Sequence, residues 1–265
     1  MKFITSVKNP DYKYLKALNN PKKRKKHKAF LIEGFSFVRD LLFKKAELVS
    51  YLILSESAFQ KTRFADLIRV AEQKEIPVWV LAEKLFKEIS TYVTPQGIMA
   101  VVKEPTDNSI IGNKLLILEN LQDPTNVGVI LRTADAVGIK TVLYTKGTAD
   151  PFAPKTVRSS AGSILNLSLL QIHNIKEVIT LLKEQEFKII VSVVQGGDPL
   201  FKTGVPEKFC LVVGNEAKGV SQEMLDIADK LITIPMKGGA QSLNVAIATA
   251  VILYHFFYLE SLKNS

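Results

Sequence analysis

The sequence predicts an α/β protein. Its larger C-terminal part reads as a mostly parallel sheet with helices on both faces, and a smaller basic α/β domain precedes it. Three observations carry this expectation. Short apolar runs alternate with stretches of helical spacing along most of the 265 residues. Length and a hydrophobic content of 47% suit two modest globular domains. The charge is also uneven: the chain carries a net +9, yet residues 1–28 alone hold ten Lys/Arg against one acid, Asp11. The remaining residues share 25 basic and 25 acidic side chains. An excess this local points to a polyanion-binding segment on an otherwise neutral protein.

Taken in order, the first segment is polar and basic, with Lys13, Lys16, Lys22, Lys23, Arg24, Lys25, Lys26 and Lys28. Glu33–Lys45 has the spacing of a helix, with Phe37, Leu41 and Leu42 on one side. A short apolar run follows at Tyr51–Leu54, a helix at Phe64–Lys74, and strands at Ile76–Leu81 and Gly97–Lys103. Residues 1–104 thus form the first domain. Glu104–Asn113, with Pro105, Asp107, Asn108, Ser109 and Gly112, has linker chemistry. The second domain spans 112–265. Its strands are expected at Leu115–Leu118, Thr141–Tyr144, Lys188–Val194, Phe209–Val213 and Leu231–Ile234. Its helices are expected near Val127–Val137, Lys176–Glu186 and Gln222–Ala228, and the 15-residue run Val245–Leu259 reads as a buried helix.

Composition excludes several classes. A lone cysteine, Cys210, makes no internal disulfide and no thiolate metal site, and His27, His173 and His255 have no ligand spacing. No metal and no membrane partner are expected. The first ten residues lack the apolar stretch of a secretion signal, so a cytoplasmic location is expected. Neither a Gly-x-Gly-x-x-Gly fingerprint nor a Walker loop is present. Cys210 and Trp79 sit in apolar runs and read as packing residues.

Three clusters in the second domain are too polar for plain core. The first is Asp123-Pro124-Thr125-Asn126-Val127-Gly128, followed by Arg132. Asn126 can cap a helix there, and Gly128 shares a helix face with Arg132, which would stand over an open glycine. The second is Val213-Gly214-Asn215-Glu216-Ala217-Lys218-Gly219, directly after a strand. The third is Ile234-Pro235-Met236-Lys237-Gly238-Gly239, then Ser242-Leu243-Asn244-Val245-Ala246, with Ser242 as a helix cap and Asn244 as a buried amide in need of partners. In the basic segment, Tyr12, Tyr14 and Phe30 are candidates to stack on unpaired bases beside the lysines.

In order and spacing these clusters resemble the three motifs of the SpoU branch of the SPOUT RNA methyltransferases, over residues 112–262. Lys155-Thr156-Val157-Arg158-Ser159-Ser160-Ala161-Gly162 is similar to a further stretch of that family. The N-terminal third, with Phe30-Leu31-Ile32-Glu33-Gly34, is similar to its ribosomal-protein-like substrate-binding domain. The resemblance implies S-adenosylmethionine-dependent methylation of RNA ribose 2′-hydroxyls, rRNA above all, with a tRNA enzyme or a non-catalytic assembly factor as alternatives. It further implies a deep trefoil knot and a homodimer. By position, Arg132 would hold the acceptor ribose and its phosphate. Glu216, Ser242 and Asn244 would orient Arg132 and the ribose, and Asn126 would hold the motif-one loop. Gly214, Ile234, Met236 and Leu243 would contact the cofactor, and Lys22, Lys23, Arg24, Lys25, Lys26, Lys28 and Arg158 the RNA.

Overall fold

The computed structural model describes residues 1–105 and 109–263. Asp107 and Asn108 of the expected linker lie outside the described residues. Packing divides the chain into two units, one of residues 1–105 with Phe152–Arg158, the other of 109–151 with 159–263.

The first unit contains β1 (Lys2–Ile4), α1 (Pro10–Ala17), α2 (Pro21–His27), β2 (Ala29–Glu33), α3 (Phe35–Lys44), β3 (Val49–Ser55), α4 (Glu56–Phe59), α5 (Ala65–Gln73), β4 (Val78–Leu81), α6 (Glu83–Ile89) and β5 (Ile98–Lys103). The strands form one sheet in the order β1-β4-β3-β5-β2, with only β5 antiparallel to its neighbours. Two helices that periodicity does not reveal, α1 and α2, open this unit. Each starts from an Asn-Pro pair: Asn9 and Asn20 accept from Asp11 N and Lys22 N, and Pro10 and Pro21 occupy the first turn. Helix α2 is almost entirely cationic and ends at Lys28, which takes a left-handed conformation (φ 47°). The cations of its last turn meet the negative end of the helix dipole.

Burial corrects part of the reading of the basic segment. Tyr12 and Phe30 are core residues, so neither is available to stack on a base. Tyr12 instead donates to Glu88 Oε2 at 2.7 Å. Tyr14, half-buried, meets His27 and Tyr51 edge to face, and Tyr51 stacks on the buried Trp79. The segment Phe152–Arg158, expected in the second domain, packs with the first unit. Phe152 lies 5.0 Å from Phe30 between ring centres, and the Arg158 guanidinium lies 5.4 Å from the Tyr92 ring. Glu33, which accepts from Ser90 Oγ and Thr91 N, has its carboxyl pushed up by burial.

The second unit contains β6 (Lys114–Leu118), α7 (Pro124–Ala136), β7 (Thr141–Thr145), α8 (Pro154–Ser159, which begins in the first unit), β8 (Ser168–Ile172), α9 (Ile175–Glu184), β9 (Lys188–Ser192), β10 (Asp198–Pro199), β11 (Phe209–Val213), α10 (Gln222–Ile227), β12 (Lys230–Thr233) and α11 (Val245–Lys263). Its seven strands are all parallel, in the order β10-β12-β9-β11-β6-β7-β8. The α/β expectation and its parallel sheet therefore stand. Strands such as Phe209–Val213 are buried throughout, as a sheet covered on both faces requires. Cys210 is among them, and burial pushes its thiol well above the ordinary range, which suits a packing residue.

Helix α11 departs from expectation. It runs for 19 residues rather than 15 and is not a buried core helix. Ile247, Tyr254, Phe257, Tyr258 and Leu262 form an exposed stripe, while Ala246, Thr249, Ile252, Leu253 and Phe256 face inward and the helix packs on α7. By length and composition alone the helix could cross a bilayer.

Candidate active site

Strands β12, β9, β11 and β6 are neighbours and deliver their following loops to one edge of the sheet. Open α/β sheets take ligands at such carboxyl ends. After β11 the chain turns at Gly214, where a Cβ would stand 2.6 Å from the Gly219 carbonyl and the Val220 nitrogen. Only glycine fits. Asn215 then organises the loop. Its side-chain oxygen accepts from Ala217 N and Lys218 N at 3.0 Å, and its amide donates to the Asn120 carbonyl at 2.8 Å. At the other end of the loop, Ser221 donates through N (2.9 Å) and Oγ (2.6 Å) to the Glu119 carboxylate. Both ends of the loop are thus tied to the segment leaving β6.

The third cluster leads into α11. Asn244 Oδ1 accepts from Ala246 N at 2.9 Å and Ile247 N at 3.4 Å, so Asn244 caps this helix in place of Ser242. Asn244 is exposed, not buried as the apolar run suggests, because it precedes the first helical turn. It still finds a partner: its amide donates to Asn126 Oδ1 at 3.1 Å, and the Asn126 amide donates to Glu216 Oε1 at 2.9 Å. One hydrogen-bonded chain therefore joins the three clusters. In the first cluster Asp123, rather than Asn126, caps α7. This leaves the Asn126 side chain for the relay.

Glu216, Ser242 and Asn244 line a cleft of about 610 Å³, and so do all four residues expected at the cofactor, Gly214, Ile234, Met236 and Leu243. Such a volume suits a small-molecule ligand. Arg132 is exposed on α7 and is not among the lining residues. Among the described residues no hydrogen bond or ion pair joins it to Glu216, Ser242 or Asn244. Gly128 is buried, so the open glycine expected beneath Arg132 is absent.

The model of the SpoU rRNA methylase family matches residues 113–254, and that of an MRM3-like substrate-binding domain matches residues 9–100. The 23S rRNA (guanosine(2553)-2′-O)-methyltransferase RlmP of Bacillus subtilis is 35% identical over 255 residues, covering 96% of this chain and 99% of that protein. The chain belongs to the SpoU rRNA methylase family. It is an RNA 2′-O-ribose methyltransferase that uses S-adenosylmethionine. An AdoMet-bound rRNA methyltransferase from Sinorhizobium meliloti superposes with a TM-score of 0.84 at 26% identity, covering 96% of each chain. The SpoU methyltransferase AviRb from Streptomyces viridochromogenes, in complex with AdoMet, gives 0.83 at 25% identity, covering 96% of this chain and 98% of that one.

The substrate-binding domain of this SpoU methylase presents its cations unevenly. Lys22, Lys23, Lys25, Lys26 and Lys28 are exposed. Arg24 is not: it is 2% exposed, and its guanidinium donates to the Leu18 carbonyl at 2.9 Å. The expectation that Arg24 contacts RNA is therefore corrected, since one side of α2 must pack. Arg158 is exposed at the Tyr92 ring. Asn215 and Glu119 hold the loop together, and neither is among the site residues expected from the sequence. The signals were present, in an Asx-type loop residue after a strand and in an acid ending the apolar run Leu115–Leu118.

Proposed function

We propose that this SpoU methylase modifies a guanosine ribose of large-subunit rRNA, with α2 gathering the RNA and the cleft of the second unit holding S-adenosylmethionine. The single observation that carries the site is the Glu216–Asn126–Asn244 relay, in which the first turn of α7 joins two loops that line one cleft. The nucleotide follows the relative's named substrate, a guanosine of 23S rRNA. A cytoplasmic location accords with that substrate.

The cleft fits the cofactor by its chemistry. Apolar Val193, Ile234 and Leu243 offer a wall for a flat base, and Gln195, Ser242 and Asn244 offer polar atoms for the rest. Met236 and Leu243, each 37% exposed, leave apolar surface that a ligand would cover. When bound, the cofactor supplies an electrophilic methyl on a sulfonium. The protein must bring the 2′-oxygen in line with it, at about 3–3.5 Å, and much of the rate comes from that positioning. Arg132 is the group for the acceptor side. Its free, exposed guanidinium can clamp the neighbouring phosphate and stabilise the charge developing on oxygen. A side chain with a pKa above about 12 does not serve as the base. Glu216, Ser242 and Asn244 position the ribose, with Asn126 linking Glu216 to Asn244.

The exposed stripe of α11 supports a homodimer, because a contiguous apolar face of this kind requires a cover. A deep trefoil knot formed by the C-terminal segments follows from the family resemblance; an experimental electron-density trace through residues 190–250 tests it. For the function as a whole, 2′-O-methyl mapping of rRNA from cells with and without the gene is the test. Loss of one guanosine methylation in large-subunit rRNA is expected, and an unchanged map would overturn the proposal.

A further inference from the structure

The first unit carries an open depression away from α2, lined by Phe35, Ser36, Lys61, Arg63, Pro95 and Gln96. It lies beyond the carboxyl end of β2, whereas α2 precedes the amino end. Five strand residues separate them, roughly 16 Å at 3.3 Å per residue. One of the depression's cations, Arg63, lies against two aromatic rings. The Arg63 guanidinium is 4.5 Å from the Phe64 ring centre and 5.1 Å from that of Phe35, and the two rings meet edge to face at 5.6 Å. Phe64 is buried and Phe35 half-buried, while Arg63 and Lys61 are exposed.

Neither Arg63 nor Lys61 has a carboxylate partner among the described residues, whereas Arg39 and Arg69 on the same unit are paired with Asp40 and Asp66. Gln96 forms part of the wall and accepts from Phe35 N at 2.8 Å, which leaves its two amide donors uncommitted. The same loop carries Val93, fully exposed, an apolar side chain that the core of this unit does not use.

We propose that this depression is a second RNA contact, taking one unpaired nucleotide of the substrate. A base can stack on the Arg63 guanidinium, which the Phe35 and Phe64 rings back, its edge can meet the Gln96 amide and Ser36 hydroxyl, and its phosphate can meet Lys61. Planarity matters here as much as charge, which separates this contact from the flexible lysines of α2. The two patches, on opposite ends of one strand, would bracket a short single-stranded stretch. The inference rests on the reading that the first unit binds RNA.

The test uses the full-length protein with a protein-free 23S rRNA transcript and a fluorescein-labelled 12-nucleotide single strand of mixed sequence. Arg63→Ala should weaken binding of both about tenfold, the scale of one lost stacking contact. Arg63→Lys should recover little of it, and Phe35→Leu, which keeps the apolar volume, should weaken it as well. The KM for the transcript should rise by the same factor while kcat and the thermal shift with S-adenosylmethionine stay as in wild type. Arg63 is exposed, so its two variants should melt as wild type does, and the Phe35→Leu result is read only where its melting shows the protein folded. Photo-crosslinking of a 4-thiouridine strand should label the peptides holding Phe35 or Arg63. If Arg63→Ala and Phe35→Leu bind RNA like wild type while an α2 variant with Lys22, Lys23, Lys25 and Lys26 replaced by alanine loses affinity, the depression is not an RNA contact and the RNA reading of the unit survives. If the α2 variant also keeps full affinity, that reading falls with it.

Discussion

Helices α2 and α11 both expose an unusual surface, of opposite kinds. On α2 it is cationic, with Lys22, Lys23, Lys25 and Lys26 facing solvent around one inward Arg24, and Lys28 exposed at its end. On α11 it is apolar, with Ile247, Tyr254, Phe257, Tyr258 and Leu262 outward. Charge acts over about a Debye length and tolerates imprecise geometry, so α2 can gather a polyanion before any fitted contact forms. Apolar surface acts only on contact and needs a complementary face, which in the proposed dimer a second copy of the same helix would supply. The contrast teaches where specificity resides. It belongs to the fitted surfaces, the cleft and the α11 stripe, and not to the cationic helix.

The sharpest way to break that division is Arg132→Ala. Methyl transfer should fall by a hundredfold or more, as when a charge-stabilising donor is removed, while the thermal shift with S-adenosylmethionine persists. Turnover comparable with wild type would remove Arg132 from the mechanism. Next comes the joint replacement of Lys22, Lys23, Lys25 and Lys26 by alanine. RNA affinity should drop by at least tenfold at moderate salt, and the slope of log affinity against log salt should shrink by roughly three. Deleting residues 1–28 would be a poor substitute, because Ile4, Tyr12 and Leu15 are core residues.

For the apolar side, Phe257→Glu with Tyr254→Glu should convert a dimer to a monomer in light scattering. A dimer that survives both charges would place the interface elsewhere. Gly214→Ala should weaken S-adenosylmethionine binding about tenfold in calorimetry, because the added Cβ would force the Gly219 backbone away. The smallest expected effect is at Tyr12, whose hydroxyl is pushed up to about 12 by burial, by its hydrogen bond to Glu88 and by that carboxylate's charge. The folded state holds that proton more tightly than the unfolded one, so the contribution is complete below pH 10 and lost as pH rises towards 12. Tyr12→Phe should flatten this part of the alkaline melting curve. An unchanged pH dependence would show that Tyr12 does not cause it.

Much of the second unit could be read from the chain because strands buried on both faces write continuous apolar runs, as Phe209–Val213 does. Helices α1 and α2 escaped because their identity is written in caps, the two Asn-Pro pairs, and not in periodicity. At the site, the motif residues Asn126, Gly214, Glu216 and Asn244 stood out by type, but their pairing did not. Asn244 reaches Asn126 across 118 positions, and Ser221 reaches Glu119 across 102. No local pattern records such a distance. The orientation of α11 was equally hidden, since an apolar helix reads the same whether its second face meets the core or a second molecule.

The excursion of Phe152–Arg158 into the first unit has a practical side. Along the chain, the first unit is interrupted by residues 109–151 of the second, so the polypeptide passes from one unit to the other three times. A fragment ending at residue 104 would lack Phe152 against Phe30, the buried Val157, and Arg158 at the Tyr92 ring. The boundary that suits a gene truncation is therefore not the boundary that suits the fold. A substrate-binding fragment complete in its own packing needs the 152–158 peptide returned to it, in cis by a short joining loop or in trans as a synthetic segment.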